Sequence, residues 1–274
     1  MVFDHGLVPS DVITHRELID IFTVSTSGGM RRSHATNTLI LISDHTNGLY
    51  DDRWIEDVFH YTGMGQEGHQ SLDFAQNKTL HLSNSLDIGV HLFEVFQANN
   101  YIYQGEVYLA GSPYQETQPD RNDNPRSVWV FPLKLKDGQD EVIISHETLK
   151  AKEEMQEKRA KRLSERELFE KASFAPIKPG SRNVVTKVYE RNATVSEFAK
   201  RRANGICQLC EEPAPFETKH GDPYLETHHI VWLSQGGQDS IENTVALCPN
   251  CHRKMHSLDL FEDVMKLQNV SRIN

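Results

Sequence analysis

The sequence predicts an α+β chain of two domains joined by a helical connector. Three observations carry this. Residues 6–135 hold short apolar runs separated by Gly, Asn, Asp and Pro. Residues 147–171 are rich in Ala, Glu, Lys, Arg and Leu and free of Gly and Pro. Two Cys-x-x-Cys pairs follow, Cys207/Cys210 and Cys248/Cys251. A chain of 274 residues suits one large domain or two ordinary ones. With 38% hydrophobic and 25% charged residues it can bury a core. Mean hydropathy is -0.55, and no run approaches the ~20 apolar residues of a membrane span. No basic stretch followed by an apolar run opens the chain, so a cytoplasmic location without a cleaved signal is expected.

The first half reads as strands. Thr38–Ile42 is an apolar run of strand length, and 90–96 and 101–109 are two more, with Gln97-Ala98-Asn99-Asn100 as a hairpin turn. Ser127–Leu135 is a fourth, with Pro132 expected at a sheet edge or strand end. Several short, punctuated strands suggest a barrel or curved sheet. The stretch from about Ser145 to Ala172 reads as one solvated helix with a thin apolar stripe. Pro176 and Pro179-Gly180 then break the chain. A further helix is expected from Asn192-Ala193-Thr194 to about Ala203, with Thr194 and Glu197 spaced as a capping box.

The net charge of -10 argues against a protein that coats nucleic acid through bulk charge. Residues 1–135 carry 8 basic and 17 acidic side chains, whereas 136–274 carry 21 and 22. Any nucleic-acid affinity must come from local patches.

Two Cys-x-x-Cys knuckles in a chain without a secretory signal read as four thiolates on one tetrahedral structural zinc. A plain zinc ribbon needs only about 15–20 residues between its knuckles. This insert is far longer and holds His228-His229, Gly236-Gly237 and Glu242-Asn243. After the last Cys, His252 and His256 stand at i and i+4 on one helix face, a spacing that suits two ligands on one ion. His228 and His229 are neighbours in a strand-like segment, so they point to opposite faces and can hold different roles. Glu226 reads either as a carboxylate that tunes the metal or a ligand, or as a surface charge. Arg201, Arg202, Arg253 and Lys254 are candidate phosphate contacts.

The run LETHHIVWLSQGGQDSIENTVALCPNCHRKMH, Leu225 to His256, resembles the HNH (ββα-metal) endonuclease motif in its cysteine-containing, McrA-type form. The resemblance covers residues 205–257. It implies His229 as general base and His228 and His252 as ligands of a catalytic divalent ion. It also implies Asn243 as the residue that orients the base, and His256 as a further ligand. The expected ion is Mg²⁺, Mn²⁺, Co²⁺ or Ni²⁺, apart from the structural Zn²⁺.

Residues 28–135 resemble an SRA (YDG-type) domain. The resemblance rests on Gly29-Met30-Arg31-Arg32-Ser33, Tyr50-Asp51-Asp52, His60-Tyr61-Thr62-Gly63-Met64-Gly65, Gly68-His69-Gln70, Gln76-Asn77-Lys78 and Tyr101–Val107. One departure is His69, where the family usually has Asp before the Gln. The resemblance implies that a modified cytosine leaves the duplex stack and enters an aromatic pocket. Tyr50 and Tyr61 are the stacking candidates, and Asp51 or Asp52 would accept from the cytosine amino group. Arg31, Arg32 and Lys78 would form a basic rim along the DNA backbone.

Together these resemblances imply an SRA-like curved β-barrel reader at 1–140, a helical linker at 141–181 and a small ββα-metal nuclease domain at 182–274. The expected activity is cleavage of double-stranded DNA carrying 5-methylcytosine or 5-hydroxymethylcytosine, by a homodimer with no membrane partner. The alternatives are a catalytically silent reader of modified DNA and an HNH nuclease or nickase without modification dependence.

Overall fold

The computed structural model describes residues 3–139, 141–175 and 179–272. Pro176 lies outside them. The chain divides into two compact units, Met1–Thr186 and Lys187–Asn274. No helix among the described residues is long and apolar enough to cross a membrane.

In chain order the first unit contains β1 (Val12–Ile13), α1 (His15–Phe22), β2 (Met30–Ser33), β3 (Thr38–Asp44), β4 (Arg53–Ile55) and β5 (Val58–Thr62). Then come α2 (Ala75–His81), β6 (Gly89–Gln97), β7 (Asn100–Leu109), β8 (Tyr114–Pro119) and β9 (Pro125–Leu135). β10 (Ile144–Ser145), α3 (His146–Ala160), α4 (Glu165–Ser173) and β11 (Val184–Val185) complete it. The sheet runs β2-β3-β6-β7-β9-β5-β4, with β1 on β7 and β8 on β9. β3 and β6 are parallel, so a long crossover holding β4, β5 and α2 separates them in sequence.

The apolar run in β3 has a simple cause. Leu39 and Leu41 face one core with Phe59, Leu92, Phe131 and Leu133. Ile40 and Ile42 face a second core with Leu18 and Phe22 of α1, Phe93 and Tyr103. A strand covered on both faces cannot alternate polar and apolar residues. The hairpin between β6 and β7 closes where expected, with Gln97 paired to Asn100 and Asn99 at φ +66°.

Three expectations are corrected. The sheet is not a closed barrel: β2 and β4 end its path, each paired on one side only. These strands have four and three residues, too short to wrap round and meet. Pro132 is not at an edge. It lies inside β9 opposite His60, between Val130, where pairing with β8 ends, and Leu133, where pairing with β7 begins. A residue without an N–H is tolerated where the ladder changes partner. The connector is two helices, broken at Ser164, which caps α4 in a box with Glu167. Arg159 of α3 donates to the Thr46 carbonyl, which fastens α3 to the sheet.

The second unit contains α5 (Ala193–Ala203), β12 (Glu226–His229), β13 (Thr244–Leu247), α6 (Pro249–Leu258) and α7 (Phe261–Ser271). β12 and β13 are antiparallel, with His228 opposite Val245 and His229 opposite Thr244. Ala203, Leu209, Leu225, Ile230, Val245, Leu247, Met255 and Leu267 form the core between them and the helices. The cap of α5 is Asn192, whose side chain accepts from Thr194 and Val195 N–H, so the expected Thr194–Glu197 box is absent. Glu197 pairs instead with Arg201 one turn on.

Phe131 is fully buried in the first core. Phe131→Ala is expected to lower stability by about 3–5 kcal/mol, read from the urea midpoint of the full chain. A loss under ~1 kcal/mol would contradict this packing.

Candidate functional site

In the second unit the four cysteine sulfurs all lie within 4.8 Å of one another, with Cys210 Sγ 3.9 Å from Cys248 Sγ. Tetrahedral Zn–S bonds of about 2.3 Å place sulfurs about 3.8 Å apart, so the set fits one zinc. Cys248 is the N-cap of α6, and its sulfur accepts from the Cys251 N–H. The first knuckle is held by backbone bonds, Cys207 N to Glu212 O and Glu211 N to Cys207 O.

A second donor set stands apart. Ring nitrogens of His228, His252 and His256 also lie within 4.8 Å of one another. The Nε2 atoms of His252 and His256 are 3.1 Å apart. His228 Nε2 is buried with no hydrogen-bond partner, an orphaned atom that a metal ion would satisfy. Burial, then the neighbouring His256 and His252, pushes the His228 pKa down to about 3, so the ring stays neutral and able to ligate. Glu226 bonds His252 Nδ1, which turns Nε2 of that ring toward the cluster. The Tyr224 hydroxyl donates to the other Glu226 oxygen at 3.1 Å. The register of β12 on β13 fixes this, because Glu226 stands opposite Leu247, one residue before Cys248.

His229 takes the other side of β12, and its Nε2 is 2.9 Å from Asp239 Oδ1. Asp239 also accepts from the Asn192 N–H and is held below the usual carboxylate range, first by the His229 bond. The expected partner of His229, Asn243, does a different job. Its amide bonds Val231 N, Val231 O and Gln238 O, closing the loop that carries Asp239. Gly237 is needed there, since a Cβ would stand 1.9 Å from the Val231 carbonyl oxygen. A cavity of about 130 Å³ collects His228, His229, His252, His256, Trp232 and Arg191. Asp239 and Arg191 went unseen in the sequence, because neither stands at a distinctive spacing from the histidines.

Of the basic residues, Arg202 is not available to phosphate. Its guanidinium donates to the carbonyls of Ile241, Thr244 and Ser271. Arg31 is buried, with bonds to the Gly28 and Ser25 carbonyls. Arg32 bonds the Thr38 carbonyl and Asn37. Arg31 and Arg202 are structural, because internal carbonyls left unpaired would be costly, whereas Arg32 is half-exposed. Lys78, Arg201 and Arg253 remain exposed.

In the first unit a cavity of about 240 Å³ is lined by His45, Asp52, Trp54, Glu94, Lys152 and Arg182, among others. Asp52 is buried, accepts from Thr62 N at 2.7 Å, and is pushed up to about 6 by burial. Asp51 instead pairs with Arg53 and does not line the cavity. Tyr61 is a core residue packed among Leu41 and Phe59, with its hydroxyl donating to the Gly29 carbonyl, so it offers no free face to a base. Tyr50 donates to the Gly65 carbonyl and lies off the cavity. The departure at His69 is harmless, since His69 Nδ1 accepts from Ser127 N at 3.0 Å. Gln70 and Asn77 lock the same loop, through Gly63 O and Trp129 N for the first and Met64 and Ser71 for the second.

The profile of the family described as ScoMcrA-like, SRA domain, matches residues 9–156, more than half of the chain. That of HNH endonuclease matches residues 207–258. The Type IV methyl-directed restriction enzyme EcoKMcrA of Escherichia coli (strain K12) is 47% identical over 79 residues, 29% of this chain and 28% of that protein. The structure of the Type IV phosphorothioation-dependent restriction endonuclease ScoMcrA has a TM-score of 0.41 at 20% identity, covering 97% of this chain and 63% of that one. The modification-dependent TagI restriction endonuclease has a TM-score of 0.36 at 19% identity, covering 92% and 78%. The chain thus spans under a third of the E. coli relative and under two thirds of ScoMcrA.

Asp52 gives a pH prediction. Its folded pKa of about 6 lies above the ordinary 3.8. Between those values the unfolded chain has lost the proton and the folded chain keeps it. Its contribution to stability therefore falls as pH rises from about 4 to about 6. Asp52→Asn removes that decline, on the order of 3 kcal/mol, in urea titrations across the range. An unchanged pH profile in the variant would contradict the assignment.

Proposed function

The chain belongs to the ScoMcrA-like SRA domain family and carries an HNH endonuclease domain after it, and on that premise we propose that it is a modification-dependent DNA endonuclease. One observation supports this above the rest. A histidine cluster with an orphaned ring nitrogen on His228 and a carboxylate-held histidine share one cavity in the HNH unit.

The chemistry follows from these side chains. His229 Nε2 donates to Asp239, which leaves Nδ1 as the nitrogen that takes a proton from water. His228, His252 and His256 would hold a divalent ion of the Mg²⁺, Mn²⁺, Co²⁺ or Ni²⁺ type. Such an ion supplies positive charge beside the phosphodiester. Arg191, which lines the same cavity, would contact a phosphate, and Asn243 holds the loop that carries Asp239. The four thiolates would hold a structural zinc, apart from the reacting groups.

The SRA unit supplies target choice. Asp52 is a carboxylate on the cavity wall, and it accepts from the amino group of a flipped cytosine carrying a 5-methyl or 5-hydroxymethyl group. One HNH site per chain cuts one strand, so a homodimer on modified double-stranded DNA gives the double-strand break. The enzyme works in the cytoplasm.

The test is cleavage of two copies of one plasmid, one unmodified and one carrying 5-methylcytosine, with Mg²⁺ or Mn²⁺. Cutting of the modified copy alone is expected, with His229→Ala slower by about 10²–10⁴-fold. Equal cutting of both copies would remove the reader from the account. Binding to the modified copy without cutting would make the chain a silent reader.

A further inference from the structure

The 240 Å³ cavity of the first unit is not empty of side chains from the connector. Arg182 enters it and forms an ion pair with Glu94 Oε2, leaving the guanidinium side chain 10% and Glu94 1% exposed. The guanidinium carbon lies 5.8 Å from the Trp54 ring and 5.6 Å from the Phe96 ring. His45 completes the floor, with Nε2 2.8 Å from Glu94 Oε1 and its ring stacked on Phe96. Trp54 Nε1 donates to the same carboxylate at 3.3 Å.

The segment that delivers Arg182 is fastened at several points. Ser181 N donates to Trp54 O at 2.9 Å, and Ser181 Oγ accepts from Glu56 N. Asn183 donates to Glu141, and Val184 and Val185 pair in parallel with Ile144 and Ser145. At Gly180 a Cβ would stand 3.2 Å from Trp54 O, so the strap passes close against β4. The second unit begins at Lys187, just after this strap.

What Arg182 satisfies is a chemical pattern: a planar group with N–H donors on its edge, lying near aromatic rings and facing a buried carboxylate. A nucleobase with an exocyclic amino group offers the same pattern. We propose that residues 179–185 form a self-inhibitory strap, with Arg182 occupying the place of a flipped, amino-bearing base, so that base entry displaces the strap. This rests on the reader reading above. It adds Glu94, beside Asp52, to the groups that meet the base, and it makes the connector respond to occupancy. A base that replaces the Arg182 hydrogen bonds keeps Glu94 paired. A group without donors leaves Glu94 buried without its Arg182 ion pair, held only by His45 and Trp54, which is disfavoured. The strap thus lowers affinity for every base that must displace it, as any closed state that must open before binding does.

The experiment uses the full chain, wild type and Arg182→Ala, with Arg182→Lys as a milder variant that keeps the charge but loses the planar fork. Two quantities are read. One is the Kd for matched duplexes with and without 5-methylcytosine. The other is amide hydrogen exchange of residues 179–185 in the wild type before and after duplex is added. Arg182→Ala is expected to tighten binding to the modified duplex by about tenfold, and modified duplex is expected to speed exchange in the strap. If Arg182→Ala fails to fold, Arg182→Lys gives the same comparison. Preference for modified DNA with unchanged affinity in the variants and unchanged strap exchange would leave the reader standing and overturn the strap. No preference for modified DNA in any protein would overturn the reader and the strap with it.

Discussion

The HNH unit is organised around four cysteine sulfurs close enough to share one ion. Cys248 caps α6 and Cys251 lies in its first turn, so an ion held by these sulfurs would pin where that helix starts. The start fixes the phase, and the phase puts His252 and His256 on the face that meets His228. β13 enters Cys248 directly from Leu247, and its register with β12 carries Glu226 to His252. The core here is small, built from Val245, Leu247, Met255, Leu267 and a few neighbours. A metal staple would add to what so small a core supplies.

The SRA unit works under the opposite constraint. Its sheet is covered on both faces near β3, and apolar packing alone can hold it. It nonetheless buries Asp52, Glu94 and His45 together. Burial by itself would raise the Glu94 pKa, yet Arg182 and His45 outweigh it and bring it down to about 2. Buried ion pairs are poor stabilisers compared with well-packed apolar groups. Their presence beside Trp54 marks a place shaped for a polar planar guest rather than for the fold.

Local patterns in the sequence were legible and distant ones were not. The strands around Thr38–Asp44, 89–97, 100–109 and 125–135 announce themselves as apolar runs between turn residues. The cysteines and histidines are legible because helix and knuckle spacings of three and four residues are themselves the geometry. Helix α2, of seven residues, is too short for a periodic pattern to emerge, whereas α1 is written in Leu18 and Phe22 one turn apart behind the Thr14–Glu17 capping box. Arg31, Arg32 and Arg202 look like any surface cation until the carbonyls they serve are seen in space. Asp239 reaches His229 only because Gly237 and Asn243 fold the intervening loop back. Arg182 meets Glu94 across 88 residues of chain, a separation no local pattern encodes.

The four thiolates and the three histidines are two separate donor sets, each of which would hold one ion, the first positioning the second. Counting metals per chain by native mass spectrometry tests this most directly, with wild type, His228→Ala and Cys251→Ser compared after incubation with Zn²⁺ and Mn²⁺. Wild type should carry one tightly held zinc and one exchangeable divalent ion. His228→Ala should lose only the exchangeable ion, and Cys251→Ser should lose both. Retention of the exchangeable ion in Cys251→Ser, or loss of zinc in His228→Ala, would contradict it.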